Sequence, residues 1–263
     1  MIFDADCHLS PLPGTLAVTA DELVSLLDTN GVDRALCWLK PAYTRSVTEG
    51  NAAVFEAAKR YPDRLVGFGW TNPRLGTEAA LDAVRCCLEE YGFPGVKLNG
   101  AQDEYSVDDA SLSMPVIERI AKAGAMLAFH VGADAYERTH PFRVAKIAAL
   151  FPETPILMVH MGGVGVPSLH AACIELARQH DNLVLIGSAA ESRAILDAVR
   201  VLGPDRVCFG SDTPFGLMHV ELARYRALLS HIDERSRGLV MGGAIARLVG
   251  LARDNDRGAA ARD

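Results

Sequence analysis

The sequence predicts an α/β fold, a single-domain (β/α)8 TIM barrel with its active site at the C-terminal ends of the strands. Three observations predict it. Short apolar runs rich in Val, Ile, Leu and Phe alternate with longer amphipathic stretches, the pattern of strand-helix units around a buried parallel sheet. About eight such units fit along the chain, the number a barrel requires. Histidines and aspartates recur where the apolar runs end, and in a barrel those ends share one mouth.

Taken in order, the predicted strands are 2–8, 34–39, 65–70, 95–98, 126–130, 155–160, 183–187 and 206–211. The helices between them are expected to stop at Asn30-Gly31, Tyr61-Pro62 and Gly203-Pro204, where glycine supplies a left-handed cap or proline ends the helix. A similar lead into the next strand recurs, as Val32-Asp33-Arg34, Pro62-Asp63-Arg64 and Pro204-Asp205-Arg206. A Rossmann or flavodoxin-like sheet is the competing architecture, but no GxGxxG follows the first run. No linker divides the chain, so residues 1–253 read as one barrel domain and 254–263 as a polar, flexible tail.

Composition narrows the function. With 49% hydrophobic and 22% charged residues, the 263-residue chain is neither disordered nor fibrous. A net charge of −7 argues against a nucleic-acid or anionic-membrane surface and leaves small molecules as the expected partners. No apolar run approaches the ~20 residues of a bilayer-spanning helix, and the start, MIFDADCHLS, lacks the basic flank and apolar core of a secretory leader. The expectation is a cytoplasmic protein with no membrane contact, its six cysteines reduced. A homodimer is the expected assembly for a soluble enzyme.

Asp6 and His8 end the first strand, His130 the fifth, His160 the sixth and Asp212 the eighth. These residue types suit zinc or a similar divalent ion. Strand alternation puts Asp6 and His8 on one side, with Cys7 turned away, so that the pair can grip one ion. Lys97 ends the fourth strand and is read as a contact for a substrate carboxylate or as a structural ion pair. Trp70, Asn72, Asn99, Arg138, Ser188 and Glu191 follow strands and are read as shaping the pocket, Arg138 sharing with Lys97 the role of acid-group contact. His219 lies just beyond Asp212 and is read as lining the mouth. His140, His170, His180 and His231 are read as ordinary loop or helix residues.

The ordered motifs Asp4-Ala5-Asp6-Cys7-His8, Gly95-Val96-Lys97-Leu98, Phe129-His130-Val131-Gly132, Val159-His160-Met161-Gly162-Gly163, Phe209-Gly210-Ser211-Asp212 and Gly242-Gly243-Ala244-Ile245-Ala246-Arg247-Leu248 make the chain resemble the amidohydrolase superfamily. The likeness is to its amidohydrolase-related group of metal-dependent hydrolases and decarboxylases, and it spans nearly the whole chain. It implies one divalent ion per chain held by Asp6, His8, His130 and Asp212, with His160 beside it as a proton-transfer or polarising group. The usual His-x-His of the first strand is here Asp6-Cys7-His8. The added negative charge keeps manganese and magnesium in view as alternatives to zinc, the first expectation.

The function expected first is metal-dependent hydrolysis of an amide, lactone or ester bond in a small carboxylated molecule. The ion would lower the pKa of a water to about 7, Asp212 would shuttle the proton, and His160 would stabilise the oxyanion. The alternative is non-oxidative decarboxylation of an aromatic or unsaturated carboxylic acid, a carbon-carbon lyase reaction, for which the acidic Asp6 speaks. A metal-free lactonase or a non-catalytic small-molecule-binding barrel is the third expectation.

Overall fold

The computed structural model describes residues 1–41 and 47–251. Among these residues nine strand segments run in parallel: β1 (Phe3–Leu9), β2 (Arg34–Leu39), β3 (Leu65–Gly67), β4 (Gly69–Trp70), β5 (Gly95–Leu98), β6 (Met126–His130), β7 (Ile156–Val159), β8 (Leu183–Ile186) and β9 (Val207–Cys208). They pair in chain order, β1 to β3 and β4 to β9. β3 and β4 are one predicted strand interrupted at Phe68, whose amide still donates to the Cys37 carbonyl at 2.8 Å.

The seam between the last strand and the first is closed by backbone bonds. The Ala5 amide donates to the Phe209 carbonyl at 2.9 Å and the His8 amide to the Thr213 carbonyl at 2.7 Å. Eight strands in this order, joined first to last and alternating with helices, make the (β/α)8 barrel expected. Side chains from all of the strands fill its interior with buried apolar groups.

The helices follow local sequence chemistry. Ala20–Asn30 begins at a capping box, in which Thr19 and Glu22 each satisfy the other's backbone amide, and ends at Gly31 with φ 64°. Its buried Leu23 and Leu27, four residues apart, form the stripe that packs on the barrel.

Three strands end earlier than predicted, β8 by one residue at Ile186, and the ends of the other two matter. β7 stops at Val159, and His160 follows with φ 75°. β9 stops at Cys208 because the Phe209 amide leaves the ladder for the Val240 carbonyl at 2.9 Å, and Asp212 then takes φ 56°. Left-handed backbone at non-glycine residues costs of order 1–3 kcal/mol each and is concentrated at functional sites. The predicted tail, 254–263, lies outside the described residues.

Candidate active site

The strand ends of β1, β5, β6, β7 and the loop after β9 open on one pocket of about 360 Å³, the scale of a small-molecule site. Its walls include His8, Lys97, Asn99, His130, His160 and Asp212. Phe215 lies at its edge, its ring edge-on to His8 at 5.2 Å between centroids.

At the centre, His8 Nε2 lies 3.5 Å from Asp6 Oδ1 and 3.4 Å from Asp212 Oδ1. His160 Nδ1 lies 3.7 Å from Asp6 Oδ2. One potential ligand atom from each of Asp6, His160 and Asp212 falls within 4.8 Å of the other two. Asp6 Oδ1 is buried with no hydrogen-bond partner, which is costly unless a cation meets it. Two carboxylates and an imidazole converging on such an orphaned oxygen fit a divalent ion.

The grouping differs from the expected ligand set. His130 Nε2 is taken by Asp134 Oδ1 at 2.8 Å, one turn further along the chain. His8 Nε2 accepts from the Trp38 indole at 3.1 Å, while its Nδ1 donates to the Leu39 carbonyl at 3.0 Å. Asp6 and Asp212 converge with His160, each placing one ligand atom within 4.8 Å of the other two, while His8 Nε2 is as near to both carboxylates but is engaged by the Trp38 indole.

Electrostatics divide the groups. Burial works to raise the Asp6 carboxyl, but Lys97, His8 and His160 outweigh it and hold it well below the usual carboxylate range. Burial pushes the Lys97 ammonium down to about 8, against the pull of Asp6 and Asp212. Burial pushes the His160 imidazole down to about 4 although Asp212 and Asp6 favour its charged form, so the ring is neutral near pH 7.

The expected pocket residues separate into those at the pocket and those elsewhere. Lys97 and Asn99 line it. Trp70 backs Lys97, with its ring centroid 5.1 Å from Nζ. Ser188 is fully buried, its hydroxyl donating to Asp6 Oδ2 and lying 3.0 Å from His160 Nδ1. Arg138 is not among the lining residues, and its carbonyl accepts from the Val107 amide at 3.0 Å. His219 is exposed on the helix Met218–Leu228, outside the pocket wall, because Met218, Leu222 and Tyr225 are the residues that this helix buries. Asn72 caps a short helix by accepting from the Arg74 amide at 2.9 Å. Glu191 holds the N-cap position of Ser192–Leu202 without a side-chain cap bond. His170, read as an ordinary residue, is buried outside the pocket.

Sequence reasoning missed three supports. Trp38 places its ring 3.6 Å from Lys97 Nζ. Asp103 accepts from the Trp70 indole at 3.1 Å, and burial raises its carboxyl to about 7. Asp4 accepts from the Ser211 amide at 2.9 Å and the Asp6 amide at 3.1 Å, tying the two site-bearing strands together. Only Asp4 carried a signal, an acidic residue in an otherwise apolar strand.

Comparison with known proteins agrees with this geometry. The amidohydrolase family model matches residues 5–251. A 2-amino-3-carboxymuconate-6-semialdehyde decarboxylase of Dictyostelium discoideum is 24% identical over 250 residues, covering 81% of this chain and 69% of that protein. Among solved structures, 2,6-dihydroxybenzoate decarboxylase from Rhizobium superposes with a TM-score of 0.78 at 18% identity, covering 95% of this chain and 98% of that one. A dihydroxybenzoic acid decarboxylase from Polaromonas, solved with manganese and the inhibitor 2-nitroresorcinol, gives 0.73 at 19% identity over 96% and 97%. At these identities the structural likeness is one of fold. The match over nearly the whole chain, on a barrel whose strand ends converge as described, shows that the chain belongs to the amidohydrolase family.

Proposed function

We propose that the protein is a metal-dependent, non-oxidative decarboxylase of a small aromatic or unsaturated carboxylic acid. The observation that carries this reading is Lys97: a buried ammonium at the pocket wall, faced by two indole rings and given no hydrogen-bond or ion-pair partner by any described residue. Such a cation is matched by an anionic substrate group. The decarboxylases among the relatives and structural neighbours favour this reading over hydrolysis.

Asp6, Asp212 and His160 would hold the ion, with His8 beside both carboxylates and His130 behind His160. When bound, the ion supplies Lewis acidity and a fixed positive charge for the substrate's oxygens. Lys97 binds and orients an oxygen of the substrate carboxylate. The Trp38 and Trp70 rings exclude water from the amine. Asp212 passes a proton taken up from solvent to the carbon that bears the carboxylate. A C–H bond forms, the C–C bond breaks with its electron pair returning to the substrate, and CO2 leaves. Asp212 regains its proton from solvent at the mouth, where its side chain is 17% exposed.

That same exposure favours a second reading, hydrolysis of an amide, lactone or ester with Asp212 moving the water's proton. Manganese-loaded protein incubated with hydroxylated benzoates and unsaturated acids in ¹⁸O-labelled water separates the two. Release of one CO2 per substrate with no ¹⁸O in the residual product is the expected result. Label uptake without CO2, from candidate lactones and amides, would favour hydrolysis, and turnover of neither class would favour a binding barrel.

A further inference from the structure

Ser188, fully buried just beyond β8, touches site groups from two other strands. Its hydroxyl donates its single proton to Asp6 Oδ2. Its oxygen lies 3.0 Å from His160 Nδ1, and its own backbone carbonyl lies 3.3 Å from the same nitrogen. A carbonyl can only accept, and the hydroxyl proton is already given to a carboxylate, so both contacts require the imidazole proton to sit on Nδ1. In a neutral ring the lone pair is then on Nε2.

We propose that Ser188 is a positioning residue that fixes His160 as the Nδ1-protonated tautomer, so that His160 meets the ion or substrate as an acceptor, through Nε2. The inference deepens the reading above and rests on its placing of Asp6 and His160 in the reacting site. It also revises the role expected of His160 from sequence. A ring with its lone pair forward does not stabilise a carbonyl oxygen or an oxyanion, both of which need a donor. What it complements is a cation or a hydroxyl hydrogen on the substrate. The bridge has little room to shift, because a Cβ at Gly210 would already lie 3.2 Å from Ser188 Cβ and 3.0 Å from Asp6 Cβ.

The test is the ¹⁵N spectrum of histidine-labelled, chelator-treated full-length protein without substrate at neutral pH. His160 is identified by the resonances missing from His160→Gln. In the wild type, Nδ1 is expected to be pyrrole-like and Nε2 pyridine-like. Ser188→Ala removes the 3.0 Å hydroxyl contact and its link to Asp6 and leaves the longer 3.3 Å carbonyl contact as the remaining restraint, so a fraction of the other tautomer is expected to appear beside the first. A wild-type ring protonated on Nε2, or a Ser188→Ala spectrum with unchanged His160 resonances, overturns the proposal. If Ser188→Ala does not fold, the wild-type spectrum decides alone. No turnover is read, so failure to find a decarboxylated substrate leaves this outcome unaltered, and the two ideas fail separately.

Discussion

The ammonium of Lys97 stands 3.6 Å from the centre of the Trp38 ring. Trp70 faces the same amine at 5.1 Å, and each indole also uses its N–H, Trp38 toward His8 and Trp70 toward Asp103. The two rings thereby couple a buried cation to the carboxylate centre while offering it only their faces. Replacing Lys97 by Met keeps the bulk and removes the charge. A lost charge-assisted contact of about 1.5–3 kcal/mol lowers kcat/KM by roughly 10- to 100-fold. Steady-state kinetics should place most of that loss in KM, while the melting temperature holds or rises because a desolvated charge has gone. An unchanged KM contradicts the anchoring role.

Asp212 is assigned the proton transfer, so Asp212→Asn should reduce turnover by at least about 100-fold, the lower range for a lost general acid. Its side chain sits partly exposed at the mouth, so the unfolding midpoint of the metal-free protein should move little. Single-turnover measurements beside a denaturation curve check both expectations.

Acid stability reports on His160. Its imidazole titrates near 4 when folded, against 6.5 ordinarily, because burial disfavours the charge. Between those values the unfolded chain binds more protons, so metal-free protein loses stability as pH falls from about 6.5 to about 4, by up to about 3 kcal/mol. Asp4 acts in the opposite sense: burial raises its carboxyl to about 7, which gives stability present at low pH and lost as pH rises through 7. The difference between wild type and His160→Asn cancels the Asp4 contribution. It should narrow on acidification across that window, and a constant difference contradicts the neutral, buried imidazole.

Backbone closeness at Gly210 offers a structural check. An added Cβ would stand 2.7 Å from Ile186 Cγ2 and 3.0 Å from Asp6 Cβ. Gly210→Ala should cost about 1–3 kcal/mol of stability through overpacking and displace Asp6 from its partners. Calorimetric unfolding together with Mn²⁺ binding measures both effects.

Much of this arrangement is legible in the amino-acid order. Strand alternation correctly placed Asp6 and His8 together, and the barrel rule brought Asp6, His8, His130, His160 and Asp212 to one mouth, because both depend on periodicity and chain direction alone. What escaped is lateral. Trp38 reads as a core residue of β2 until Lys97 of β5 is seen against its ring. Asp134 captures His130 through a loop conformation that no pattern encodes. Ser188 reads as pocket polarity, yet it is walled in behind Asp6 and His160. Arg138 and His219 follow the right strands and still sit outside the pocket wall, since loop direction is set by packing.

The central claim is that Asp6 and Asp212, with His160, hold a single cation at the strand ends. Calorimetric titration of chelator-treated protein with Mn²⁺ tests it most directly, using wild type, Asp6→Asn and Asp212→Asn side by side. The account predicts one ion per wild-type chain and its loss in both variants. Equal binding by all three proteins, or no binding to the wild type, contradicts it.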